Sequence, residues 1–163
     1  MINAHRYYRQ ISPGIQEYVE AVLFQHYLET EKLLSLEDCA GKLPGGILLT
    51  EEDYILGLFD MTGELMRYAV TQLASRGELP TGSTNGQANI LTTLQDLRRS
   101  LETLDASGSH GLARCMDKKM GTTKTSVEKV ENAVYSMTVR GKERPKGWNP
   151  GLDAPREMGE VES

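Results

Sequence analysis

TEEDYILGLFDMTGELMRYAVTQLASRG, residues 50–77, decides the fold by its spacing. Wound at about 100° per residue, it gathers Ile55, Leu58, Thr62, Leu65, Met66, Ala69 and Leu73 on one side, and Gly57, Asp60, Gly63, Glu64 and Arg67 on the other. That division is the signature of an amphipathic α-helix. Thr50 marks its start, because the hydroxyl can accept from the free amide of Asp53 while Glu51, Glu52 and Asp53 suit the positive end of the helix dipole. Arg76 followed by Gly77 marks its end.

On the N-terminal side, Ile15, Tyr18, Val19, Val22, Leu23 and His26 recur at helical steps and predict a long helix from Gly14 to about Leu34. Pro13 lacks a donor and disfavours helical geometry at Ser12, so the preceding residues form either a separate turn or the lower arm of a bent helix. Ser35 can cap a short turn through Cys39, which Gly41 and Gly45-Gly46 then break. On the C-terminal side, residues 77–89 read as a loop, and Ile90, Leu94, Leu97, Leu101 and Leu104 as a narrow apolar seam suited to a partner helix. Ala106 to Gly111 ends that helix, and a last one runs from about Leu112 to Arg140 with Val127, Val130, Val134 and Met137 on its core face. Gly121 is a weak point in it, and Pro145, Pro150 and Pro155 mark residues 143–163 as a disordered tail. The expected fold class is all-α, with one domain over 1–142.

A length of 163 residues with 39% apolar and 25% charged composition is that of one globular core. A net charge of -5 excludes a protein that grips nucleic acid chiefly by its overall charge. Cys39 and Cys115 stand far apart, which suggests neither a zinc site nor a disulfide framework, and no apolar run is long enough for a bilayer; a soluble intracellular chain is expected. Phosphate-binding loops, nucleophile elbows and paired zinc histidines of the H-E-x-x-H kind are absent.

The remaining chemistry lies in carboxylates. Asp60 and Glu64 are one turn apart and near enough to share a hard cation such as Mg²⁺, although two acids on an amphipathic helix are more often a solvated face. Glycines 57 and 63 mark a close approach of a ligand or of a neighbouring helix. Glu17 and Glu20 sit on a helix that is apolar nearly all round in its second half, with Ala21, Phe24, Tyr27 and Leu28 about them, so burial and a partner for these acids are expected. Two acidic pairs converging from separate helices would repel one another, and a divalent ion relieves that repulsion. Arg67 serves as an ion-pair partner or, less readily, a phosphate contact. Lys118, Thr122, Thr125, Lys129, Asn132, Ser136 and Arg140 form a stripe that either tracks a phosphate backbone or is simply solvated, the second being favoured because Glu128 and Glu131 flank it. His26 reads as a core histidine.

Three blocks, IQEYVEAVLFQHYL (15–28), DYILGLFDMTGELMRYAV (53–70) and SVEKVENAVYSMTVRG (126–141), closely resemble the translin family in its translin-associated factor X (TRAX) branch. The resemblance implies an antiparallel helical bundle of the translin type that assembles with translin into a hollow hetero-oligomer. It also implies an Mg²⁺-dependent endoribonuclease acting on single-stranded RNA in RNA silencing and transfer-RNA processing, with single-stranded DNA as a second ligand. Glu17, Glu20 and Asp60 would be the catalytic, metal-binding acids, with Glu64 completing the set, while translin supplies much of the basic surface. Relatives begin with a further long helix, so an N-terminally truncated bundle is expected here, in cytoplasm or nucleus. The rival expectation is a non-catalytic interaction or nucleic-acid-binding subunit of the same complex.

Overall fold

The central helix forms where its capping residues set it. In the computed structural model, which describes residues 4–45, 47–77, 79 and 89–140, Thr50 Oγ1 accepts from the Asp53 amide at 3.1 Å. Gly77, at φ 76°, donates its amide to the Leu73 carbonyl at 2.9 Å. A left-handed residue costs glycine nothing, which is why the helix stops there. The described chain is all helical: α1 (Ala4–Thr30), α2 (Leu36–Lys42), α3 (Glu51–Arg76), α4 (Ile90–Glu102) and α5 (His110–Arg140).

α3 is the hub, with α1 packed on one side and α5 on another, while α4 covers both α3 and α5. Side-chain pairings give the directions. Ser12 meets Asp53 and Phe24 meets Tyr68, while Ser109 meets Glu52 and Thr123 meets Thr62. α1, α3 and α5 therefore ascend together. α4 is their antiparallel companion, since Gln95 pairs with Glu131 and Glu102 with Lys124. Val19, Leu23, Met61, Leu65, Leu94, Leu101, Val127 and Val130 are fully buried where these helices meet. Each contributes on the order of 1.5–3 kcal/mol by leaving water.

Several expectations need correction. Of the two readings of the residues before Pro13, the helical one is observed, for α1 is continuous through Pro13; the helix ends at Thr30 rather than near Leu34, and Glu31 takes φ 59°. Leu34 is buried in the connection that follows, not in the helix. α1 is also not enclosed. α3 covers the face of Ile15, Val19, Leu23 and Tyr27, whereas Ala21 and Leu28 are exposed, so Glu17 is not buried. The seam of α4 is spent inside the chain: Ile90, Leu94, Leu97 and Leu101 are buried, while Leu104 lies past the Thr103 cap and is exposed. α5 runs without interruption through Gly121. The loop expected at 77–89, apart from its ends, and the tail at 143–163 lie outside the described residues.

Candidate functional site

The site depends first on how α1 is held against α3. Asp53 is fully buried and accepts at one oxygen from Ser12 (2.6 Å) and Gln16 (3.0 Å), and at the other from Tyr8 (2.8 Å) and Thr50 (3.0 Å). Four donors satisfy a carboxylate that could not otherwise remain buried. Gly57, one turn on, admits α1 to close range: a Cβ there would stand 2.7 Å from Val19 Cγ1 and 3.0 Å from the Gln16 carbonyl oxygen. Of the two readings of this glycine, the neighbouring helix is the one observed. These two contacts set the register in which the next turns of α1 and α3 face each other.

In that register Glu20 of α1 lies beside Asp60 and Glu64 of α3. Its carboxyl is pushed above the ordinary glutamate value by burial, then by the charges of Asp60 and Glu64, with Arg67 and Lys119 offsetting part of the effect. Glu64 pairs with Arg67 at 3.0 Å, and the guanidinium side chain remains 72% exposed, so the ion-pair role expected of Arg67 is observed and the residue still faces solvent. Asp60 Oδ1 accepts from the ammonium of Lys119 on α5. Glu20, Asp60 and Glu64 are thus near enough to feel one another's charge, whereas Glu17 stays on the exposed side of α1.

Lys119 is the residue that the sequence reading missed. Tracing the core face of α5 backwards from Val130 and Val127 passes through Thr123, which is buried, to Lys119 and Met116. A lysine on a buried heptad face was the available signal. Lys118 and Lys129 are exposed, as are Thr122, Thr125 and Asn132 of their stripe, consistent with a solvated face. Arg140 closes α5, and its side chain lies outside the described residues. His26 is half-buried, and Cys39 (buried) and Cys115 (exposed) are both free thiols.

The donor set is all oxygen and drawn from two helices, which is the chemistry of a hard divalent ion rather than of zinc. Burial and, after it, the like charges of Asp60 and Glu64 raise the Glu20 carboxyl, and a divalent ion would relieve the second of these. The side chains do not close on an ion as they stand. Among the described residues no three His, Cys, Asp or Glu groups are near enough together to hold one, and a lysine ammonium occupies Asp60.

Comparison with known proteins agrees with the fold. The translin family model matches residues 1–141. The chain belongs to the translin family. Within it, the chain is TRAX-like: it is 34% identical to translin-associated protein X of Rattus norvegicus, over 87% of this chain and 54% of that protein. To the translin-associated protein X homolog of Schizosaccharomyces pombe it is 32% identical, over 85% of this chain and 55% of that protein. Similarity to translin of Gallus gallus is lower, 27% over 84% of this chain and 56% of that protein. The chain spans about half the length of these curated relatives. Among the described residues no helix is long and apolar enough to cross a membrane.

Proposed function

We propose that this chain is the catalytic, TRAX-like subunit of a translin-containing hetero-oligomer that cuts single-stranded RNA with Mg²⁺. The observation that carries the reading is that part-buried Glu20 of α1 feels the charges of Asp60 and Glu64 across the α1–α3 seam, where burial and then those like charges raise its carboxyl. Membership of the translin family supports the partner, and the acidic net charge of -5 fits a subunit that borrows basic surface from it.

Glu20, Asp60 and Glu64 would hold the ion. When bound, Mg²⁺ supplies a water of lowered pKa and positive charge beside a phosphoryl oxygen. The protein's own groups provide the rest. A carboxylate of the chain that does not coordinate the ion would take the proton from the attacking water. Arg67, paired with Glu64 and exposed, would meet a phosphate oxygen. Glu17 is exposed on α1, so Glu17→Gln is expected to reduce cleavage less than Glu20→Gln or Asp60→Asn.

The test is co-expression with translin and a cleavage assay on a labelled single-stranded oligoribonucleotide. Cleavage that is lost with EDTA, and lost by a hundredfold or so in Glu20→Gln and Asp60→Asn, is the expected result. Cleavage indifferent to both substitutions would remove the assigned site. A second reading, a non-catalytic subunit that assembles and binds RNA without cutting it, is favoured by one observation: Asp60 is already neutralised by Lys119. Localisation to cytoplasm or nucleus is part of the proposal only through the cellular RNA it would act on.

A further inference from the structure

At the end of the bundle where α3 and α5 begin, a cavity of about 480 Å³ opens to the surface. Leu36, Tyr54, Ile55, Leu104, Leu112 and Met116 form its apolar wall. Two polar groups of that wall are already engaged, since the Tyr54 hydroxyl donates to the Leu34 carbonyl at 2.7 Å and Ser109 donates to Glu52. Leu104 remains 42% exposed at the mouth. Glu51, Glu52 and Asp105 line the same cavity, and among the described residues no Lys or Arg does. Three negative charges against two helix N-termini, each worth roughly half a positive charge, leave the cavity about two charges negative. Its size lies in the range of about 300–1,000 Å³ usual for a binding pocket. An apolar wall under an acidic mouth suits a large apolar side chain carried on a basic segment. None of the acids of the proposed cleavage site lines it.

The sequence beyond α5 supplies such a segment. Lys142, Arg144 and Lys146, set against the one acid Glu143, lead to Trp148, the chain's single tryptophan. Within one chain the two cannot meet. Leu112, at the cavity, lies about 42 Å along α5 from Arg140 at 1.5 Å per residue. The eight residues from Arg140 to Trp148 span about 29 Å at most when fully extended. We infer that segment 142–149 of one copy docks in the cavity of a second copy, with Trp148 against the apolar wall and the cations facing Glu51 and Asp105. The indole N–H is a donor that finds its acceptor in those carboxylates. Such a contact joins opposite ends of two molecules and is heterologous, so it repeats from copy to copy until a ring closes. The inference stands independently of the RNA-cleavage reading.

The single tryptophan makes the contact measurable by fluorescence. A peptide of residues 141–152 is titrated with the full chain carrying Trp148→Ala, so that all tryptophan emission comes from the peptide. The titration is repeated with Glu51→Lys and Asp105→Lys added, both at exposed positions where the fold tolerates a change of charge. The emission of the parent chain is followed on dilution. The inference predicts a saturable blue shift of the peptide, weakened by about tenfold or more in the double lysine variant, and a parent emission that moves to the red on dilution. Peptide emission that stays at the position of a water-exposed indole, or shifts equally with and without the two lysines, overturns it. A parent emission already blue-shifted and unchanged on dilution places Trp148 against its own chain. One that shifts only when translin is added places it on that partner. Either result overturns the assignment to a second copy. Should the lysine variants fail to fold, Ala106→Phe, which fills the cavity, takes their place with the same loss expected.

Discussion

Asp53 and Glu20 are two acids a few turns apart on the same seam, and their surroundings give them opposite characters. Asp53 is sealed and satisfied by Tyr8, Ser12, Gln16 and Thr50. Asp53→Ala strands those donors, and denaturant unfolding is expected to register a loss of about 3 kcal/mol, since hydrogen bonds to a charged group are each worth about 1.5–3 kcal/mol. Glu20 is partly buried and, beyond that, crowded by like charge, so the folded state favours its protonated form. Its contribution to stability is therefore complete below the ordinary glutamate value of 4.5 and is lost as pH rises through the raised one. In EDTA, Glu20→Gln should melt above the parent at pH 7 to 8 and level with it near pH 4. A constant difference across that range would contradict the account. Of these residues the sequence made the four acids visible, because acids at helical spacing on apolar or glycine-lined helices stand out. It hid the rest of the Asp53 cluster beyond Thr50, because Tyr8, Ser12 and Gln16 come from 37 to 45 positions away and have no local pattern.

At the scale of the helix pair, Gly57 and Gly63 look alike in sequence and differ in what surrounds them. A Cβ at Gly57 would meet Val19 and the Gln16 carbonyl, whereas Gly63 has nothing within 4 Å. Gly57→Ala should destabilise by about 1–3 kcal/mol through overpacking, more than the helical propensity that alanine restores, and should pull Glu20 away from Asp60. Gly63→Ala should stabilise by about 0.5–1 kcal/mol. Thermal melts of the two variants should therefore move in opposite directions, and a matching shift would show that helix propensity rather than packing governs both positions. The capped starts of α2 and α3 were legible because Ser35 and Thr50 bind amides three residues on, a purely local interaction. The end of α1 was not: apolar periodicity persists to Leu34, and only burial in a separate connection distinguishes that leucine from a helical one. Lys119 escaped for a related reason, since polarity argued for solvent while position argued for the core.

Across the whole molecule, the three ascending helices bury their shared faces and leave the outer side of α1 open, with Ile11 and Leu28 exposed along it. Such a face favours association when the chain stands alone. Light scattering of the isolated chain should show concentration-dependent association that Ile11→Gln combined with Leu28→Gln reduces, and unchanged scattering would remove that stripe from consideration. The all-α class and the order of helices could be read from periodicity because each long helix repeats its pattern over many turns. The ascending arrangement of α1, α3 and α5 could not, because it depends on which turns meet across connections that themselves carry no periodic signal. The proposed function depends on one such meeting, that of α1 with α3. The direct measurement is anomalous scattering at the manganese edge from crystals of the translin complex grown with Mn²⁺. A peak bound by oxygens of Glu20 and Asp60 is expected; an empty cluster at saturating Mn²⁺ would contradict the proposed function.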